Sequence, residues 1–362
     1  MRGKLREFVR QYDMVIFDMD GVMTSEQNYW DIAALSVWEM AHSDRYYGEE
    51  AFDPDAALRQ VKQIRSTVFC RDKVIYRIKD IGINNNWDLV YIQLALWLEY
   101  GDFEAGYAFL QQPDLDVDTL YAHAAALYAK RLNILEEDCM RNGPVWTACM
   151  HCFQAWYLGS EDFAVQFGAP AGRPKGWFLF SEPRGRMGVQ PGKASMRSRE
   201  VPLLDNDKLR RLFAALCDAG LTLGVATGRP DLEMDIPLDL WEFRQYFDQN
   251  RLISYDCVME AEHRLCLAEA GIALPKPHPY LFLKAALGRD FPDEKILDGG
   301  YAIPGKVLAV GDAGADILSA HAAGFDFLAV LTGAMGEKSR PYFASQGAEY
   351  ILDKVTDLLE EV

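Results

Sequence analysis

The chain has 362 residues, half of them apolar, which at about 150 residues per domain suggests two domains and enough apolar material for more than one core. A short disulfide-stapled scaffold is excluded. Asp and Glu outnumber Lys and Arg by 54 to 37, a net charge of −17 that disfavours nonspecific binding to nucleic acid or to an anionic membrane.

Met1 to Phe8 alternates charged with apolar residues and lacks the apolar run of a signal peptide. No later stretch reaches the roughly 18 uncharged residues of a membrane span. Seven cysteines from Cys70 to Cys266, an odd number without framework spacing, read as reduced thiols. The expectation is a soluble cytoplasmic protein.

In chain order, Met14 to Phe17 is an apolar run ending in Asp18-Met-Asp20-Gly21, which predicts a buried strand stopping at a glycine turn. From Ser25 to about Arg199 the pattern is helical, in Tyr29 to Met40, Trp87 to Tyr100, Leu120 to Leu132 and Val145 to Leu158. Seven of the eight tryptophans fall here, so residues 26–199 read as an aromatic-rich helical domain inserted after the first strand. Its last part, Gly172 to Arg199, gathers Arg173, Lys175, Arg184, Arg186, Lys193, Arg197 and Arg199. A hinge, a cationic rim for a phosphorylated substrate and a solvated return linker all explain that run. Strand patterns then resume at Leu221 to Ala226, ending in Thr227-Gly228, and at Lys306 to Val310, ending in Gly311-Asp312, with helical patterns over Asp207 to Ala219 and Asp316 to Ala323. Strands alternating with helices indicate an α/β fold, a doubly wound, Rossmann-like parallel sheet formed by residues 1–25 and 200–362.

Ligands of such sheets bind beyond the carboxyl ends of the strands. Asp18, Asp20, Thr227 and Asp312 all lie at such ends although almost three hundred residues separate the first from the last. Asp18 and Asp20 are two apart and point the same way from an extended segment. Gly21 lets the chain turn and brings backbone N–H groups near an anion. Asp312 and Asp316 are four apart at a helix start and share a face. Carboxylates gathered without paired His or Cys suit a hard cation, Mg²⁺ above all.

Asp18-Met-Asp20-Gly21-Val22, Thr227-Gly228-Arg229-Pro230, Lys276-Pro277-His278-Pro279 and Gly311-Asp312 to Asp316 together resemble the four ordered motifs of the haloacid dehalogenase (HAD) superfamily. The resemblance is closest to its subfamily I phosphatases, whose helical cap is inserted between the first two motifs. It implies that Asp18 is the nucleophile that becomes an aspartyl phosphate and that Asp20 protonates the leaving oxygen, then activates water. Thr227 would hold a phosphoryl oxygen and Lys276 would neutralise its charge. Mg²⁺ would be bound by Asp18, the Asp20 backbone carbonyl and Asp312, with Asp316 in support. Gly21, Gly228 and Arg229 are placed at the phosphate, Arg229 being equally readable as a surface residue. Asp20 would need to be protonated in the first step, so its pKa is expected to be raised by Asp18 and by closure of the site.

An aspartate at position 20 favours a phosphatase or a sugar phosphomutase over the dehalogenating and ion-pumping members. Ser25 stands where this subfamily often has an acid. The inserted domain should bury the site, which favours a small phosphorylated metabolite over a polymer or protein. A binding or regulatory protein with a vestigial core is the alternative from another class. Tyr29, Trp30 and Trp87 suit either a pocket or a helical core, and Asn84 to Asn86 either a polar substrate or a helix cap. Cys149-Met-His-Cys152 with Cys139 resembles half a zinc site, and reads better as packed helix. His278, between two prolines, reads as a turn residue.

Overall fold

All four residues of Met14–Phe17 are buried, so both faces of this strand must be covered, and the computed structural model places it at the centre of a parallel sheet. The structure describes residues 10–83, 85–167, 191–267 and 272–360. The expectations for Met1 to Phe8, Asn84, Arg173, Lys175, Arg184 and Arg186 lie outside those residues. The chain divides into two units, one of residues 1–26 and 200–362 and one of 27–199.

The first unit carries six strands: β1 (Met14–Phe17), β2 (Thr222–Ala226), β3 (Leu252–Ile253), β4 (Val307–Gly311), β5 (Asp326–Val330) and β6 (Tyr350–Leu352). Their order is β3-β2-β1-β4-β5-β6, with every pairing parallel. This is the doubly wound arrangement, and the strand order reverses at β1. Side chains alternate along β1 with period two. Val15 and Phe17 pack with Leu209, Leu212, Phe213 and Leu216 of the helix Asn206–Asp218, while Met14 and Ile16 join Tyr280, Phe282 and Ile317 on the other face. Helices on both faces leave only the strand ends open to a ligand. The β1 register sets Phe17 opposite Val225 of β2 and Val310 of β4. The three strands therefore stop together, and the loops that follow them begin side by side.

The second unit is helical. Its first helix, Gln27–His42, is buried along almost its whole length, from Asn28 to Met40 and Ala41. It packs against the helices Val61–Val68, Asn86–Tyr100 and Pro144–Leu158. Asn85 caps the second of these, Asn86–Tyr100, accepting hydrogen bonds from the Trp87 and Asp88 amides, so helix capping explains this asparagine. Lys193, part of the basic run of the return segment, is buried and paired with Glu39 at 2.7 Å. It cannot form part of a solvated cationic rim, because its ammonium is neutralised inside the helical unit. Among the described residues no helix is long and apolar enough to cross a membrane, and all seven cysteines are free thiols.

Candidate active site

Backbone register places the key carboxylates. The Asp18 amide donates to the Val310 carbonyl at 2.8 Å, which holds the residue after β1 against the end of β4. Gly21 takes a φ of +75°, a conformation that costs glycine little. The turn it makes is closed by its amide on the Thr24 carbonyl at 2.9 Å. After β4, Asp316 sits in the first turn of the helix Gly314–Ala322 and accepts from the Asp312 and Ala313 amides at 3.3 and 3.1 Å. Those bonds aim the rest of its carboxylate at Lys276.

Lys276 bridges the two sides. Its Nζ lies 3.0 Å from Asp18 Oδ1 and 2.7 Å from Asp316 Oδ1, with the ammonium almost enclosed. Burial works against the charged lysine, but the two carboxylates outweigh it and raise its pKa. For Asp18 burial is the largest influence; Lys276 opposes it, Asp316 and Asp20 add to it, and the pKa is pushed up to about 7.

Asp18, Asp312 and Asp316 each offer a carboxylate oxygen, and these oxygens all lie within 4.8 Å of one another. Three carboxylates against one ammonium leave two negative charges, and the donors are all oxygen. That set fits a hard divalent cation such as Mg²⁺, with no imidazole or thiolate to favour a softer one. The Asp312 carboxylate reaches this position between two glycines. A β-carbon on Gly333 would fall 1.8 Å from its Oδ2, and one on Gly21 2.2 Å.

Thr227 is buried at the end of β2, its amide on the Ile253 carbonyl at 3.0 Å and its hydroxyl oxygen accepting from the Arg229 amide at 3.2 Å. Gly228 continues the same loop with open space where a side chain would stand. Arg229, placed by the motif at the phosphate or at the surface, lies inside the α/β unit. It is buried and turns its guanidinium to Asp20, with Nε to Oδ2 at 3.0 Å and Nη2 to Oδ1 at 2.6 Å. The Thr24 hydroxyl also donates to Asp20 Oδ1, at 2.8 Å.

Sequence reasoning missed Thr24, Glu200, Thr332 and Gly333. The Thr332 hydroxyl donates to the Gly21 carbonyl and so ties the loop after β5 to the loop after β1. Nothing in their local sequence marks these residues, because each acts through a contact that only folding creates. The other candidates resolve simply. Cys149 and Cys152 are buried on the helix Pro144–Leu158, burial raises both thiols, and no metal-holding group among the described residues includes them. His278 accepts from the Tyr280 amide at 3.2 Å, a turn contact. Tyr29 stacks on Phe153 and Tyr157 in the helical core, and Trp87 meets Trp146 edge to face.

Comparison with known proteins follows the same lines. Residues 273–358, which include Lys276, Asp312 and Asp316, match the HAD-hydrolase-like family. No curated protein matches the chain significantly. A solved structure of a Northeast Structural Genomics Consortium target is similar over 96% of this chain and 97% of its own, with a TM-score of 0.73 and 23% identity, a likeness of fold. The phosphatase Tt82 from Thermococcus thioreducens aligns over 92% of this chain and 100% of its own at 15% identity and a TM-score of 0.46. A HAD-superfamily hydrolase of subfamily IA from Geobacter sulfurreducens PCA aligns over 97% and 96% at 16% identity and a TM-score of 0.38. The family match spans the Lys276 to Asp316 segment, so this part of the chain is similar to HAD-like hydrolases.

Proposed function

We propose that the protein is a cytoplasmic, Mg²⁺-dependent phosphatase that hydrolyses a small phosphorylated metabolite through an aspartyl phosphate on Asp18. The observation that carries this reading is Lys276 bridging Asp18 and Asp316 beside the Asp312 carboxylate, where β1 and β4 end together. Phosphoryl transfer is governed by positioning and charge stabilisation, and this cluster offers both. Asp18, Asp312 and the Asp20 backbone carbonyl would hold Mg²⁺, with Asp316 steadying them. Bound there, the cation would neutralise phosphoryl oxygens and lower the repulsion between two anions.

An Asp18 oxygen attacks phosphorus while the bond from phosphorus to the ester oxygen breaks. Asp20 gives that oxygen its proton. In the second half, the Asp20 carboxylate takes a proton from water, the water oxygen attacks phosphorus, and Asp18 leaves. Lys276 keeps Asp18 in place and offsets charge on the transferring group. Thr227 donates its hydroxyl to a phosphoryl oxygen. Splitting the reaction at the enzyme-bound ester replaces one hard displacement by two easier ones.

Phosphate release from a panel of phosphorylated metabolites, with and without Mg²⁺, tests this. Mg²⁺-dependent phosphate is the expected product. An isomerised sugar phosphate without free phosphate would make the protein a phosphomutase instead, and binding without turnover would make it a regulatory protein.

A further inference from the structure

Arg229 uses its whole guanidinium inside the protein. The group has five N–H donors in a planar fork. Two of them, on Nε and Nη2, go to Asp20. Nη1 donates to Glu200 Oε1 at 3.1 Å and to the Glu233 carbonyl at 3.0 Å, and Nη2 also donates to Glu200 Oε2 at 3.4 Å. One edge of the plane therefore faces Asp20 and another faces Glu200. No donor is left for a phosphoryl oxygen unless one of these bonds is given up.

Glu200 is the residue at which the chain returns to the α/β unit, and its side chain is 0% exposed. Burying a carboxylate costs several kcal/mol unless it is paired. Asp20 alone could serve one edge of the guanidinium, but it leaves the plane free to swing about the side chain. Glu200 on the second edge and the Glu233 carbonyl remove that freedom. Thr24, fully buried, adds a third donor on the Asp20 carboxylate.

The geometry points to Arg229, braced by Glu200, as a positioning residue that sets where the Asp20 carboxyl stands for proton transfer, and not as a phosphate ligand. This rests on the phosphatase reading above, in which Asp20 moves the proton. A displacement of about 1 Å in such a group costs on the order of 10²-fold in rate.

The test is a double-mutant cycle on Arg229 and Asp20, assayed with the alkyl ester glycerol 2-phosphate and Mg²⁺ and checked for folding by thermal melts. Arg229→Ala should lower kcat by about 10²-fold with KM little changed. In an Asp20→Asn background the same change should cost almost nothing more. Added guanidinium ion should restore part of kcat to Arg229→Ala and none to the double variant. Glu200→Gln should lower kcat without raising KM. If Arg229→Ala does not fold, Arg229→Lys, which keeps the charge and loses the fork, takes its place in the cycle with the same expectation. A rise in KM with kcat retained, or an undiminished loss in the Asp20→Asn background, would overturn the proposal while leaving the phosphatase intact. Absence of Mg²⁺-dependent phosphate release from the wild-type protein would overturn the reading beneath it and the proposal with it.

Discussion

A β-carbon on residue 21 would lie 2.2 Å from Oδ2 of Asp312, so the turn after β1 and the carboxylate after β4 fit only because residue 21 is glycine. Alanine there would also have to hold a φ of +75°, at about 1–2 kcal/mol for a left-handed residue. Gly21→Ala is therefore expected to push Asp312 aside and weaken Mg²⁺-dependent turnover by about 10²-fold or more, with a melting temperature lower by a few degrees. Gly333→Ala attacks the same carboxylate from the other side without a positive φ, and should lose activity with a smaller drop in stability. Full activity in both variants would show that Asp312 is not where the chemistry occurs.

Burial holds the Asp18 pKa near 7 before any cation binds. A proton and a cation compete for that carboxylate, so apparent Mg²⁺ affinity should fall as pH drops below about 7, by up to about tenfold per unit. Above that pH the affinity should level off. Activity titrated with Mg²⁺ at pH 6 and pH 8 checks this: a higher midpoint at pH 6 is expected, and equal midpoints would mean that Asp18 does not bind the ion.

Asp20 is assigned the proton transfer to the leaving oxygen. Asp20→Asn should cost about 10²–10⁴-fold in kcat on an alkyl phosphate, whose alkoxide needs a proton, and much less in the phosphorylation step on p-nitrophenyl phosphate, whose phenolate leaves unaided. Single-turnover rates on the two substrates separate the cases. Equal losses on both would remove Asp20 from the acid role.

His151 provides a stability test in the helical unit. Its ring lies against Phe163 and Phe167, and burial pushes its pKa down from 6.5 to about 4. The unfolded chain takes up this proton near pH 6.5, but the folded one does so only near 4. Between those values the unfolded state holds more protons, so stability is lost as pH falls through the window, by on the order of 3 kcal/mol in full. Above pH 6.5 this loss is absent. His151→Gln lacks this term, so the difference in urea midpoint between wild type and variant should narrow between pH 7 and pH 4.5. A constant gap would mean that the ring is already solvated.

How much of this was legible depends on chain locality. β1, β2 and β4 stood out as apolar runs that stop at Asp, Gly or Thr, and their shared end predicted where Asp18, Thr227 and Asp312 would gather. β3 is two residues long, and β6 is only half buried, so neither leaves a periodic signal. β5, Asp326–Val330, begins within a few residues of the preceding helix and was not assigned from the sequence. In the site, Asp18, Lys276, Asp312 and Asp316 carried their own motifs. Arg229 was noticed but its direction was not, because that depends on Glu200, which follows a run of basic residues and carries no motif. Lys193 was misplaced for the same reason: its partner Glu39 is 154 positions away in the chain.

The phosphatase reading requires that Asp18 itself becomes phosphorylated. Mass spectrometry of peptides from protein quenched in acid during turnover, with sodium borohydride to trap the acyl phosphate, tests it most directly. The expected result is reduction of Asp18 alone, absent from Asp18→Asn, which should also release no phosphate. Phosphate release that persists in Asp18→Asn, or a trapped group on another residue, would contradict the account.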